Sequence, residues 1–190
     1  MNRVLTALAV LLIAAAPGAN AASIVYASSL GPEVLGATGS GSVTLIYDDV
    51  AQTLDIAANF TGLSGTTTVA HIHCCVAVAG TGTVGVAVTP GTLPGFPVGV
   101  TAGSYATVID LTDSASYTGA FLTGAGGTAA LAEAALIAGL DAGKAYFNVH
   151  SSTFGGGEIR GFPVIPVPAA FWLFGSALGV MGWLRRNRTS

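Results

Sequence analysis

Gly41-Ser42-Val43-Thr44-Leu45-Ile46-Tyr47, followed after Asp48-Asp49-Val50-Ala51-Gln52 by Thr53-Leu54-Asp55-Ile56-Ala57-Ala58-Asn59-Phe60, decides the fold class. Side chains alternate across a strand. Val43, Leu45 and Tyr47 therefore share one face of the first segment, and Leu54, Ile56, Ala58 and Phe60 share one face of the second. Two such runs around a short polar connection read as a hairpin. Outward from it, Ile24 to Leu30, Thr67 to His73, Thr83 to Val88, Tyr105 to Leu111, Lys144 to His150 and Glu158 to Pro163 are further strand segments. They are punctuated by Gly- and Pro-rich connections such as Pro90-Gly91-Thr92-Leu93-Pro94-Gly95-Phe96-Pro97. Only Thr128 to Leu140 breaks the pattern, with Leu131, Ala134, Ala135 and Leu140 at helical spacing. The expectation is an all-β domain, an antiparallel sandwich or barrel of immunoglobulin-like plan, with one short inserted helix as a cap over one end.

That domain occupies residues 22–163. About 140 residues suffice for one hydrophobic core without covalent staples. Lys144 and Arg160 are its only basic residues, against all nine carboxylates of the chain, so its net charge is near −7. Nucleic acid and anionic head groups are excluded as partners by that balance. Charged residues make up only 8% of the chain, which suits a secreted or matrix protein better than a cytosolic enzyme.

The two ends carry addresses. Arg3 precedes an apolar core from Val4 to Ala16, and Ala19-Asn20-Ala21 supplies the small-x-small pattern of a signal peptide, residues 1–21. Residues 164–190 run from a proline-marked joint through an uncharged stretch to Arg185-Arg186-Asn187-Arg188. Phe171, Leu173, Phe174, Leu178, Val180 and Leu184 favour insertion by roughly 2–4 kcal/mol together, so the expectation is a marginal transmembrane helix with a cytoplasmic C-terminus. Val167, Pro168 and Ala169, the Trp172-Leu173-Phe174-Gly175-Ser176 block and Arg185, Arg186 and Arg188 resemble the PEP-CTERM bacterial sorting signals in their Val-Pro-x-Pro-Ala variant. The resemblance implies recognition by an exosortase-like processing enzyme and cleavage near Pro166 to Pro168, with Pro166-Val167-Pro168 in place of Pro-Glu-Pro. An ordinary single-pass anchor is the alternative. Either way, the protein is expected to cross the inner membrane and to be anchored through its C-terminus or released to the cell surface or extracellular matrix.

The domain is similar to a second family. Ser29-Leu30-Gly31-Pro32-Glu33 with Gly39-Ser40-Gly41, then Ala70-His71-Ile72-His73, then Ala145-Tyr146-Phe147-Asn148-Val149-His150 with Gly156-Gly157-Glu158-Ile159-Arg160-Gly161-Phe162, resemble the landmarks of the CHRD domain, first described in chordin. The likeness covers nearly all of Ser23 to Phe162, and Cys74-Cys75 departs from it. It implies a β-sandwich module of an extracellular protein, with no reaction attached.

His71 and His73 are two apart on a strand, so both leave the same face, close enough for one metal ion. His150 ends another strand and becomes a third imidazole if the two strands are neighbours. Copper or zinc suits such a site. The His-x-His strand looks like that of copper-zinc superoxide dismutase, an analogy of fold alone, with no further histidines to complete that enzyme's site. The alternative is structural, with imidazoles hydrogen-bonding across strands to hold loops.

Cys74 and Cys75 belong to an oxidising compartment if the leader acts. Adjacent Cα atoms across a trans peptide are about 3.8 Å apart, below the usual disulfide span of about 4.4–6.8 Å. A vicinal disulfide forming a rigid turn, two soft ligands beside the histidines and an intermolecular bond are the three options, the first preferred.

Glu158 and Arg160 face one way on the last strand and can pair with each other or across strands. Gly155-Gly156-Gly157 is a turn without the ending of a phosphate loop. Ser151, Ser152 and Thr153 lack a nucleophile elbow. Asn59-Phe60-Thr61 fits a glycosylation sequon, at odds with a bacterial tail. The function expected is therefore a non-catalytic envelope or matrix module binding extracellular polysaccharide or a surface protein, without a cofactor. The alternative is a copper- or zinc-binding protein, open to redox chemistry, that uses His71, His73 and His150.

Overall fold

A computed structural model describes residues 23–166 of the chain. The expected signal peptide, the expected transmembrane helix, and Val167, Pro168, Ala169 and the terminal arginines lie outside the described residues. Among the described residues no single helix is long and apolar enough to cross a membrane.

The hairpin forms as its alternation predicts. β2 (Ser40–Asp48) pairs with β3 (Thr53–Thr61) from Ser40 opposite Thr61 to Asp48 opposite Thr53. Asp48 Oδ1 accepts from the amides of Val50 and Ala51 and shapes the turn between them. β1 (Ser23–Pro32) flanks β2, and β6 (Gly103–Asp110) flanks β3. The other strands are β4 (Thr67–His73), β5 (Val86–Val88), β7 (Tyr146–Ser151) and β8 (Ile159–Gly161).

All pairs are antiparallel, in the order β5-β4-β7-β8-β1-β2-β3-β6. β1 joins the two halves: Ser23 to Leu30 pair with β2, whereas Gly31 and Pro32 pair with Arg160 and Ile159 of β8. One sheet curling into a half-barrel thus replaces the two separate sheets of an immunoglobulin-like sandwich.

Its core face carries Tyr26, Leu45, Leu54, Ile56, Ala70, Ile72, Phe147, Val149 and Ile159, all buried in one cluster. Each Leu, Ile, Val or Phe among them contributes about 1.5–3 kcal/mol when withdrawn from water. Ala132, Leu136 and Leu140 of a helix complete the cluster.

There are two helices here rather than the one expected. α1 (Gly119–Ala125) begins at Thr118, whose hydroxyl accepts from the Phe121 amide. α2 (Ala129–Asp141) begins in the same way at Thr128. α1 lacks a helical signature because two of its seven residues are glycine. α2 stands where predicted but turned: Leu131, expected on the apolar face, is half exposed, and Glu133 is buried. The helix is apolar almost all round, so periodicity cannot choose its face. Polar partners do so instead, since Glu133 accepts from Tyr47 Oη and Gln52 Nε2, and Asp141 accepts from Tyr26 Oη.

Candidate metal centre

Strand parity divides β4 and β7 cleanly. Ala70 and Ile72 lie opposite Val149 and Phe147 on the core face. His71 and His73 lie opposite Asn148 and Tyr146 on the other face, and His150 follows two residues after Asn148. The strands are neighbours, so the three histidines meet, with one ring nitrogen from each within 4.8 Å of the others. All three are more than nine-tenths buried.

What covers them is backbone. His71 Nε2 donates to the Gly91 carbonyl at 2.6 Å, His73 Nδ1 to that of Val84 at 2.7 Å, and His150 Nδ1 to that of Gly155 at 2.8 Å. A carbonyl only accepts, so each contact settles which nitrogen carries the proton. The strand predicted from Thr83 begins only at Val86 for the same reason, as Val84 turns its carbonyl to His73 rather than to a ladder. The loops that end at Gly91 and Gly155 are held likewise, so the structural role expected of the imidazoles is present.

It uses half of each ring. The remaining nitrogens, Nδ1 of His71 and Nε2 of His73 and His150, turn inward. His71 Nδ1 and His150 Nε2 stand 3.3 Å apart. Burial lowers the pKa of His71, outweighing the bond to Gly91 that raises it, and lowers that of His73 despite the bond to Val84. In their neutral form, rings with these tautomers present lone pairs to one another. Imidazoles that donate one N–H to a backbone carbonyl and leave the other nitrogen bare are oriented as metal ligands are.

His73 stacks flat on Tyr146 with ring centroids 4.5 Å apart, and the Arg160 guanidinium lies over the far partners, Tyr146 and Phe162. Arg160 pairs with Glu33 at 3.3 Å and donates to the Gly82 carbonyl at 2.8 Å. The Glu158–Arg160 pair admitted by their spacing does not form. Glu158 instead accepts from the amide and hydroxyl of Ser64 at 2.6 and 2.7 Å. Burial raises the Glu158 pKa, but hydrogen bonds from Ser151, Ser64 and Thr38 outweigh it and hold the group below the usual range.

Cys74 and Cys75 form the vicinal disulfide, with Cα atoms 3.0 Å apart across a cis peptide rather than the trans spacing assumed from sequence. The sulfurs point away from the histidines to α2, where the Ala135 carbonyl oxygen lies 3.7 Å from Cys75 Sγ. They join no ligand cluster, which removes the reading of two soft ligands beside His71 and His73, and no free cysteine remains for an intermolecular bond.

Asn148 and Glu33 stood in the sequence only as family landmarks, with no part in the site. Asn148 Oδ1 is 3.1 Å from His73 Nε2, and its Nδ2 faces Glu33 Oε2 at 3.4 Å. Its spacing of two from His150 was the available signal, since it places both on one face.

The fold and this cluster define an antiparallel β-module with a buried histidine triad. The CHRD domain family profile matches residues 26–162, and the chain belongs to that family. No curated protein and no solved structure matches it.

Proposed function

We propose that this CHRD protein is an exported metal-binding module that holds one copper or zinc ion through His71, His73 and His150. The observation that carries the reading is the inward turn of three unprotonated nitrogens whose partners across the rings are backbone carbonyls. Leaving buried acceptors facing one another costs about 1–3 kcal/mol for each unsatisfied group. A divalent ion removes that cost and gains three bonds. Ligand nitrogens of a tetrahedral ion at about 2.0–2.1 Å stand roughly 3.3–3.4 Å apart, the separation of His71 Nδ1 from His150 Nε2. Imidazole suits copper and zinc alike.

Export is part of the proposal, supported by the leader pattern, the low charge and the family. Retention at the envelope, with an exosortase-like enzyme as processing partner, rests on the tail pattern alone. The role proposed is binding, with no reaction assigned.

The test is elemental analysis of the chain purified from the periplasm without chelator, followed by titration with zinc and copper. About one ion per chain, lost in His71→Ala, is expected. A wild-type protein that carries neither metal and takes up neither on titration refutes the reading.

A further inference from the structure

We infer that the amide oxygen of Asn148 is the fourth ligand of the ion held by the three histidines, aimed at it by Glu33 and Arg160. The inference rests on the metal reading above and adds a residue to it.

Asn148 is 1% exposed and offers two groups of opposite kind. Its Nδ2 is 3.4 Å from Glu33 Oε2. An ionised carboxylate only accepts, so the NH2 end belongs there and the oxygen end faces His73. The Nε2 that Oδ1 meets at 3.1 Å is the nitrogen left bare once His73 Nδ1 donates to Val84. Two acceptors therefore face each other here, just as His71 Nδ1 faces His150 Nε2 at 3.3 Å. Both separations suit adjacent ligands of one four-coordinate ion. Two buried acceptor pairs on one sheet face are answered together by a single cation between them.

The surroundings hold the amide in that pose. Asn148 lies opposite Arg160 in the β7–β8 ladder. Arg160 fastens Glu33 at 3.3 Å and is itself anchored on the Gly82 carbonyl. Glu33 reaches Asn148 only because residue 157 is glycine. A Cβ on Gly157 would overlap Glu33 Oε2 and stand 2.9 Å from Asn148 Nδ2, and its φ of +129° is one that side chains rarely adopt. Ligands are commonly steered by such outer partners. Three neutral imidazoles and a neutral amide bring no charge to balance the ion's, and the Glu33 carboxylate stands behind the amide, 3.4 Å from Asn148 Nδ2.

The experiment compares zinc and copper(II) affinity, by competition with a chelator, for the wild-type chain and its Asn148→Leu, Asn148→Asp and His71→Ala variants. Circular dichroism of each metal-free protein confirms folding. Asn148→Leu should weaken binding at least tenfold. Asn148→Asp should bind as tightly as the wild type or more tightly. A purely structural amide predicts the reverse order, because an aspartate would set a second carboxylate against Glu33, whereas leucine would not. Wild-type affinity in Asn148→Leu, with binding still lost in His71→Ala, would overturn the fourth ligand and leave the histidine site standing. Failure of the wild type to bind either metal would overturn both.

Discussion

Gly139 is a glycine inside α2, where alanine would ordinarily gain about 0.5–1 kcal/mol. Here the sign should reverse. A Cβ at Gly139 would collide with Cys74 Sγ and stand 2.5 Å from Cys75 Sγ, far inside the roughly 3.5–4.0 Å at which such atoms attract. Neither a disulfide nor a helix backbone is the free end of a flexible chain, so relief requires shifting α2 and with it Leu136 and Leu140 in the core. Overpacking of this kind costs about 1–3 kcal/mol. After the propensity gain, Gly139→Ala should destabilise by about 1–2 kcal/mol, or several degrees in Tm for a domain of this length.

Gly124 of α1 is the control, because a Cβ there meets nothing within 4 Å. Gly124→Ala should stabilise by about 0.4–1 kcal/mol. Urea denaturation of both variants in wild-type and Cys74→Ala/Cys75→Ala backgrounds makes a double-mutant cycle. Most of the penalty should vanish once the sulfurs are gone. If Gly139→Ala stabilises as Gly124→Ala does, or costs the same without the sulfurs, the disulfide does not lie against the helix and the packing argument fails.

Two further outcomes follow from the buried polar groups. His71 and His73 have pKa values held below the ordinary imidazole value of about 6.5, first by burial. Below pH ~6.5 the unfolded chain therefore binds more protons, and metal-free stability should fall by up to about 1.4 kcal/mol per pH unit for each imidazole until the folded groups titrate. Urea midpoints between pH 7.5 and 5 in the presence of chelator measure this, and a profile no flatter in a His71→Gln/His73→Gln variant would assign the dependence elsewhere. Tyr47 Oη donates to buried Glu133 at 2.8 Å, so Tyr47→Phe takes that donor away and leaves the carboxylate with Gln52 Nε2, also at 2.8 Å. A loss of about 1–3 kcal/mol is expected in the same assay, and no loss would mean that solvent replaces the phenol.

The strands were legible because a half-buried sheet writes its period of two into the chain, as in Leu54-Ile56-Ala58-Phe60. The shared face of His71 and His73 was legible for the same reason. That His150 joins them was only conditional on sequence, since it requires β4 beside β7 across the whole of β5, β6 and both helices. Nothing local encodes that pairing. The partner of Arg160 was open likewise: the spacing allowed Glu158 or a residue across the strands, and it is Glu33 that arrives beside Arg160 through the β1–β8 ladder. The vicinal disulfide could be preferred from sequence, whereas its seat on Gly139 could not, because it depends on how α2 is rotated. That rotation is set by Glu133 and Asp141 finding tyrosines on the sheet, contacts that an almost uniformly apolar helix does not announce.

The ladder does not stop at β8. Val164 exchanges both backbone hydrogen bonds with Ala27, at 2.9 and 3.1 Å, antiparallel to β1. The chain therefore enters and leaves the domain at the same end of one strand pair. Tension between the two ends would load these bonds one after another, as a zipper opens, instead of all together in shear. Val164 would part first and β8 next, taking Arg160 from Glu33 before β4 or β7 is disturbed. A domain hung by its tail and pulled by its head would slacken the support of its histidine cluster while the strands bearing the histidines still held.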